Sequence, residues 1–596
     1  MKKLVFRSIC LVLAVMLMFT GCGNKGNSSD VTEGNSQSGN QNSVEGDNEP
    51  VTDVMARTDY QFINAYGYSA STSVRVDFGV INNCNLYAPG DEVTYFINIS
   101  GKNLDGKAAK VNFFHKNFGV SKTFEHTIAT DEKGKQTITG KLTTEKTYKN
   151  GVYTFECTVD GFDKELKFDI GIVPRAARAN DDFYYGVQSY ITRSKNTASH
   201  RLTHQGADDT TVSKFVTADY MGCNMIREEV TNFGGMWSKK EDKIDPSVIE
   251  SDIEIADKLG MTYLWLATGS PAWAIDSKYT DSEYQGWQLP PDADVWKKYI
   301  NAIGKYYKDY DNIIFEIWNE ADWEFFMGTK EDYFNLLDIA IKELTSVSNK
   351  IRILPSACVS GWELSKDGAT HSKGRSFYFG HYLKYIKDGS LLGLNYHDHQ
   401  LFNQKLINDY KKTADSALSD VISLGYTEAQ FQGKWVTESG VWGKSGSELH
   451  RAQTLTNKML FYRATGAKSF VTWEFNAQTG SDSAWALLSD TLEPQVGVIA
   501  WTYQVGLLGN AKLKQHIAAP SGAAFADVYY DGKKTIVPFY SYADATDYMT
   551  VKGAHKVYDM CGNEMSATGD YEGSKSCMYI VFDGQVDSSA FSLSAL

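Results

Sequence analysis

Between about residues 180 and 510, short apolar runs alternate with helical segments, and this recurrence limits the fold more than any other feature of the chain. Runs near 183–189, 223–228, 261–267, 312–317, 351–356, 391–396, 434–438 and 468–473 read as strands, their starts 34 to 51 residues apart. The stretches between them carry the helical period. Trp296, Tyr299, Ile300, Ile303 and Tyr307 share one helix face, and Leu337, Ala340, Ile341 and Leu344 share another. Eight strand-then-helix units over residues 176–510 match a (β/α)8 TIM barrel with some long loops. A doubly wound open sheet is the alternative. It usually needs fewer strands, and no Gly-rich dinucleotide loop is present.

At 596 residues the chain is too long for one core. Residues 56–175 alternate with period two, as in Val74, Val76, Phe78 and Val80, or Tyr153, Phe155, Cys157 and Val159. Their length suits an immunoglobulin-like β-sandwich, with Asn150-Gly151 expected as a hairpin turn. Residues 511–596 return to β signals, with turns expected at Asp531-Gly532 and Gly562-Asn563, and read as a small C-terminal β domain. Residues 23–55 are rich in Gly, Asn, Ser, Asp and Glu and read as a flexible tether. Residues 1–22 combine Lys2, Lys3 and Arg7 with an apolar run, Ile9 to Phe19, too short to span a bilayer. The run ends in Gly21-Cys22 and resembles a bacterial lipoprotein signal. That resemblance implies lipidation at Cys22 and an extracytoplasmic, membrane-anchored protein. Phe19 departs from the usual Leu of that signal. An ordinary cleaved signal peptide is the alternative.

The formal net charge of -14 argues against nucleic acid as a partner, because an acidic surface repels phosphate backbones. All 13 Trp lie between Trp237 and Trp501. Sugar-binding clefts use such clustering, since the C–H faces of pyranose rings stack on aromatic rings; a Trp-rich core is the other reading. Six cysteines follow the signal: Cys84, Cys157, Cys223, Cys358, Cys561 and Cys577. In an exported protein they are enough for three bridges, although Cys223 and Cys358 sit in expected barrel strands and read as buried thiols.

Two of the expected strands end in glutamate. Ile313 to Trp318 leads into Asn319-Glu320 at the fourth strand, and Lys434 to Thr437 leads into Glu438-Ser439-Gly440 at the seventh. A barrel places catalytic groups at the C-terminal ends of its strands, and strands four and seven face one another across it. Glycoside cleavage needs such a pair: one acid protonates the leaving oxygen while one carboxylate meets the cationic sugar carbon. For either glutamate alone, a surface carboxylate near a helix N-terminus is the competing reading.

Ile317-Trp318-Asn319-Glu320 and Val436-Thr437-Glu438-Ser439-Gly440 resemble the two signatures of clan A glycoside hydrolases over residues 180–510. The order of motifs is similar to family 39 and more loosely to family 5. The resemblance implies retention of configuration, with Glu320 as general acid/base and Glu438 as nucleophile. It implies that Asn319 bonds the hydroxyl beside the reacting carbon and that Arg227 lies under the nucleophile; an ion pair of Arg227 with Glu228 or Glu229 is the alternative. It also implies that His397, ahead of Tyr396 and His399, orients the nucleophile or touches sugar. Trp473 would form the floor of the sugar site. Gly269 to Trp273 is similar to the Pro-x-Trp loop of family 39, and Trp273, Trp323 and Trp442 are candidate cleft walls. No cofactor and no metal are expected, since His397-x-His399 has no third ligand at suitable spacing in the sequence. An oligo- or polysaccharide is the expected substrate, with an inactive glycan-binding surface lipoprotein or a transglycosylase as alternatives.

Overall fold

The structure is a computed structural model that describes residues 61–82, 84–177, 183–189, 207–228, 233–239, 242–282, 284, 286–323, 325–359, 375–408, 434–440, 447–477, 486–489 and 491–596. Cys22, the signal, the tether and Trp442 lie outside the described residues.

The apolar runs between 183 and 473 form eight parallel strands: β1 (Tyr184–Gln188), β2 (Met225–Glu228), β3 (Thr262–Ala267), β4 (Ile313–Ile317), β5 (Arg352–Pro355, continued as Cys358–Val359), β6 (Leu394–Asp398), β7 (Lys434–Ser439) and β8 (Ser469–Thr472). One piece of β5 pairs with β4 and the other with β6, so the sheet begins and ends on the same strand and closes into a TIM-like barrel. β6 starts three residues later than the apolar run suggested. Leu391 and Leu392 are used before the strand, where the Leu392 amide bonds the Ile353 carbonyl.

Helices α1 (Ala207–Tyr220), α2 (Glu250–Lys258), α3 (Ala293–Tyr307), α4 (Lys330–Val347), α5 (Arg375–Lys387), α6 (Glu448–Ala464) and α7 (Val496–Leu508) lie between or after the strands. The buried faces of α3 and α4 follow the helical period. α3 buries Trp296, Tyr299, Ile300, Ile303 and Tyr307 and is capped by Asp292, whose carboxylate accepts two backbone N–H bonds. α4 buries Leu337, Ala340, Ile341 and Leu344 behind a Thr329–Asp332 capping box.

Ahead of the barrel are two sheets. One holds Gln61–Ser69, Val74–Ile81, Glu92–Ser100 and Lys135–Thr143, and the other holds Leu86–Tyr87, Ala108–His115, Val120–Thr127, Gly151–Val159 and Leu166–Ile172. Phe78 of the first sheet meets Phe155 and Phe168 of the second at ring separations of 6.3 and 4.8 Å. Asn150-Gly151 is not the hairpin turn that the dipeptide suggested. The strands on either side belong to different sheets, and Asn150 instead bonds Asn563 and the Cys561 carbonyl. Tertiary docking overrides the local turn preference there. After the barrel come a six-stranded and a three-stranded sheet, with turns at Gly532 (φ 98°) and Gly562 (φ 87°) where the sequence places them. All six described cysteines are free thiols.

Candidate active site

Strands β1, β2, β4, β6 and β7 contribute polar side chains at the barrel mouth that their own segments cannot satisfy, and these groups satisfy one another. Arg227, at the end of β2, is fully buried. Its Nε donates to Glu316 Oε2 at 2.7 Å, its Nη1 to Glu438 Oε2 at 2.8 Å and Gln188 Oε1 at 2.6 Å, and its Nη2 to Asn319 Oδ1 at 3.0 Å. Glu229, one of the partners considered from sequence, lies outside the described residues. Glu316 sits on β4 and Gln188 on β1, so one guanidinium ties four strands together.

Glu438 ends β7 through an irregularity. Tyr396 opposes Val436 and His397 opposes Glu438, which leaves Thr437 as an extra residue with no opposite number. The bulge breaks the in–out alternation, so both Thr437 and Glu438 reach interior partners. His399 Nε2 is 3.2 Å from Glu438 Oε1, and His397 Nδ1 is 3.7 Å from Glu438 Oε2. Burial pushes the Glu438 carboxyl upward, but the hydrogen bond from His399 and the Arg227 guanidinium outweigh it and hold the group below the ordinary carboxylate range.

Glu320 stands where β4 turns into its loop. Trp318 and Glu320 hold left-handed backbone, φ 70° and 41°, at a cost of about 1–3 kcal/mol each. The turn is fastened on several sides. Trp318 Nε1 donates to the Phe325 carbonyl at 2.9 Å, the Ala321 amide donates to Ser356 Oγ at 2.9 Å, and Asp322 accepts from the Val359 amide at 3.2 Å. Asp322 is thus a structural acceptor that ties this loop to the end of β5. Glu320 Oε1 is 2.8 Å from His397 Nδ1.

Glu320, His397, His399 and Glu438 each offer one ligand-type atom, and these atoms lie within 4.8 Å of one another. The third and fourth groups that His-x-His lacks in sequence are therefore brought in by the fold. The arrangement has the donor types of a metal site, but the positive charge at Glu438 is already supplied by Arg227.

The remaining expected residues divide. Trp473 is half-buried at the end of β8, its ring 5.8 Å from and edge-on to His399, beside the carboxylate pair. Trp323 is half-buried in the loop after Glu320, its amide bonded to the Glu320 carbonyl. Trp273 packs on Phe233 and Trp237, at 6.0 and 5.0 Å. Tyr396 is not brought to the site: it alternates outward from Asn395 and His397 and lies against Tyr462, 6.1 Å away. Trp265, Trp296, Trp318 and Trp501 are fully buried core residues. Sequence reasoning did not identify Glu316, Asn395, Thr437 and Gln188 as part of the site. Glu316 had a signal, a charge inside an otherwise apolar strand. Thr437 had none, because its direction depends on the bulge.

No family model matches the chain, and no curated protein does. Solved structures do. A family 39 glycoside hydrolase from the gut symbiont Bacteroides cellulosilyticus WH2 superposes with a TM-score of 0.60 at 14% identity, covering 84% of this chain and 99% of that one. A glucosidase from Croceicoccus marinus gives 0.46 at 10% identity, over 70% of this chain and 98% of that one. A glycoside hydrolase family 30 subfamily 8 xylanase from Clostridium acetobutylicum gives 0.41 at 13% identity, over 68% and 98%. The closed barrel thus agrees with the first of these comparisons: this chain shares the fold of that family 39 glycoside hydrolase.

Proposed function

We propose that the protein is a retaining glycoside hydrolase that cleaves β-linked glycans by double displacement. The observation that carries this reading is the separation of the two acids. One oxygen of Glu320 lies within 4.8 Å of one of Glu438, matching the roughly 5–5.5 Å of enzymes whose carboxylate attacks the sugar directly. Inverting enzymes hold the two carboxyls roughly 6.5–9.5 Å apart to admit a water between acid and base.

Glu438, kept ionised beside Arg227, attacks the anomeric carbon. Glu320 gives its proton to the departing oxygen, and a glycosyl ester forms on Glu438. Glu320 then takes a proton from water, which attacks the same carbon and releases the sugar with its configuration retained. Trp473 provides an apolar face beside the bond being cleaved. A surface used only for binding has no need of a carboxyl depressed by a buried arginine and a histidine hydrogen bond. In the same reading, Cys22 carries a lipid anchor, residues 23–55 form the tether, and the two N-terminal sheets act as an immunoglobulin-like spacer. The substrate then lies outside the membrane.

The test is turnover of aryl β-glycosides and polysaccharides by the purified protein and two variants. Glu438→Ala abolishes hydrolysis of every substrate. Glu320→Ala loses about 10²–10⁴-fold on poor leaving groups but spares activated aryl glycosides. Unchanged hydrolysis by Glu438→Ala overturns the assignment.

A further inference from the structure

The hydroxyl of Thr437 has one hydrogen and three close neighbours. Asn395 Oδ1 is 2.8 Å away, Glu316 Oε1 3.0 Å and His397 Nε2 3.1 Å. The Asn395 amide is oriented by its surroundings, since its Nδ2 donates to Glu316 Oε1 at 2.8 Å and to the Pro355 carbonyl at 3.1 Å. Its Oδ1 is therefore an acceptor. With two oxygen acceptors beside it, the Thr437 hydrogen is committed to one of them, and Thr437 presents a lone pair to His397. Nε2 of His397 must then carry a hydrogen.

We infer that Thr437 is a positioning residue that holds His397 in its Nε2–H tautomer, so that the unprotonated Nδ1 accepts a hydrogen bond from Glu320 and the resting proton stays on the general acid. This rests on the reading of Glu320 as the proton donor and adds to it the device that keeps the proton there.

The surroundings favour one hydrogen on the imidazole rather than two. His397 is fully buried, and burial together with Arg227 keeps it well below the usual histidine range against the pull of Glu438. The charged and titratable groups that face it are Glu320 from the β4 loop, Glu316 from β4 (3.9 Å), Arg227 from β2, Glu438 from β7 (3.7 Å) and His399 beyond β6. The two nearest carboxylates other than Glu320 have other donors. Glu316 takes Arg227 and Asn395, while Glu438 takes Arg227 and His399. Glu320 Oε1, 2.8 Å from an Nδ1 with no hydrogen to give, must itself supply the hydrogen. When the proton leaves for the sugar oxygen, the new carboxylate faces a lone pair. That repulsion favours taking a proton back from the incoming water, as the second step demands. The bulge in β7 is what turns Thr437 inward to do this.

The test combines two readouts on the full-length protein and its Thr437→Ser and Thr437→Val variants. The first is the basic limb of kcat/KM against pH for an aryl β-glycoside with a poor leaving group. The second is the ¹⁵N spectrum of histidine-labelled protein, which reports the tautomer without any turnover. Thr437→Val removes the acceptor for Nε2–H and frees His397 to donate from Nδ1 to an ionised Glu320. The basic limb therefore moves to lower pH and the His397 signal changes tautomer, while Thr437→Ser keeps both as in the parent. An imidazolium or an Nδ1–H tautomer in the parent overturns the proposal, as does a Thr437→Val profile that drops in height with its limb unmoved. A parent in which Glu320→Ala has no effect on any glycoside overturns the assignment of Glu320 instead, and the ¹⁵N spectrum still decides the tautomer.

Discussion

Arg227 sends four hydrogen bonds into a volume closed to solvent, and two of them end on carboxylates. A single cation thus balances both Glu316 and Glu438. Removing it leaves buried negative charge unopposed, at a cost of about 3–5 kcal/mol. The effect on titration has a definite sign. A carboxyl depressed in the folded protein contributes stability at pH values above its unfolded value, about 4.3. That contribution fades as pH falls toward the folded value. With Glu438 as the proposed nucleophile, the acidic limb of kcat/KM is expected below the ordinary carboxylate range in the parent. In Arg227→Met it moves up by about 1–3 pH units, measured on an activated aryl glycoside. Arg227→Lys does not restore the parent profile, because an ammonium cannot reach four acceptors in one plane.

At the scale of elements, the site depends on how strand ends are held. α6 sends Lys458 to the ends of β6 and β7. Its Nζ donates to the carbonyls of Asp398, Gln400 and Gly440 at 2.9 to 3.0 Å and pairs with the Asp398 carboxylate at 3.0 Å, and Tyr462 donates to that carboxylate at 2.6 Å. These are the segments that carry His399 and Glu438. A buried lysine with every hydrogen placed is a clamp on the loop geometry, and burial lowers its pKa relative to a surface lysine. Lys458→Met leaves Asp398 as a buried carboxylate without its cation. The expected loss is about 3–5 kcal/mol of stability, read as a lower melting temperature, together with a fall in kcat larger than the change in KM. The helices themselves were readable from periodicity. Which of them would brace the site was not, since that depends on which side chain reaches across.

The whole molecule is built so that the barrel is not self-sufficient. α7 buries residues on nearly every side, including Val498, Ile499, Ala500, Trp501, Val505 and Leu508. A helix apolar all round needs cover from more than one direction. Asn85 bonds the Leu492 carbonyl, and Leu86 and Ile499 close on Gly171 so tightly that a Cβ there would sit 2.5 and 2.9 Å from them. On the other side, Tyr579 bonds Gln504, and Arg463 donates to the Leu508 and Ala511 carbonyls. One apolar cluster runs from Phe62 through the barrel to Val581. Residues 176–510 expressed alone are therefore expected in the insoluble fraction, because truncation exposes this surface. A soluble, cooperatively melting fragment would show that the flanking sheets are dispensable.

Periodicity, strand-end glutamates and a few turn dipeptides were enough to read eight strands, the helix faces and the two glutamates that meet at the barrel mouth, because those features depend on residues near one another in the chain. Apolar spacing specifies which face is buried, and a glutamate at the end of a buried strand has only the barrel mouth to occupy. The rest depended on groups far apart in sequence meeting in space. Glu316, Gln188 and Asn395 acquire partners only once the strands are arranged in a ring, and Thr437 turns inward only because β7 carries an extra residue against β6. The fold also directed Tyr396 outward and drew Asn150 away from its expected turn. Local sequence sets the period of each element. Pairing register and long-range hydrogen bonds, which no single segment contains, decide where its polar side chains point.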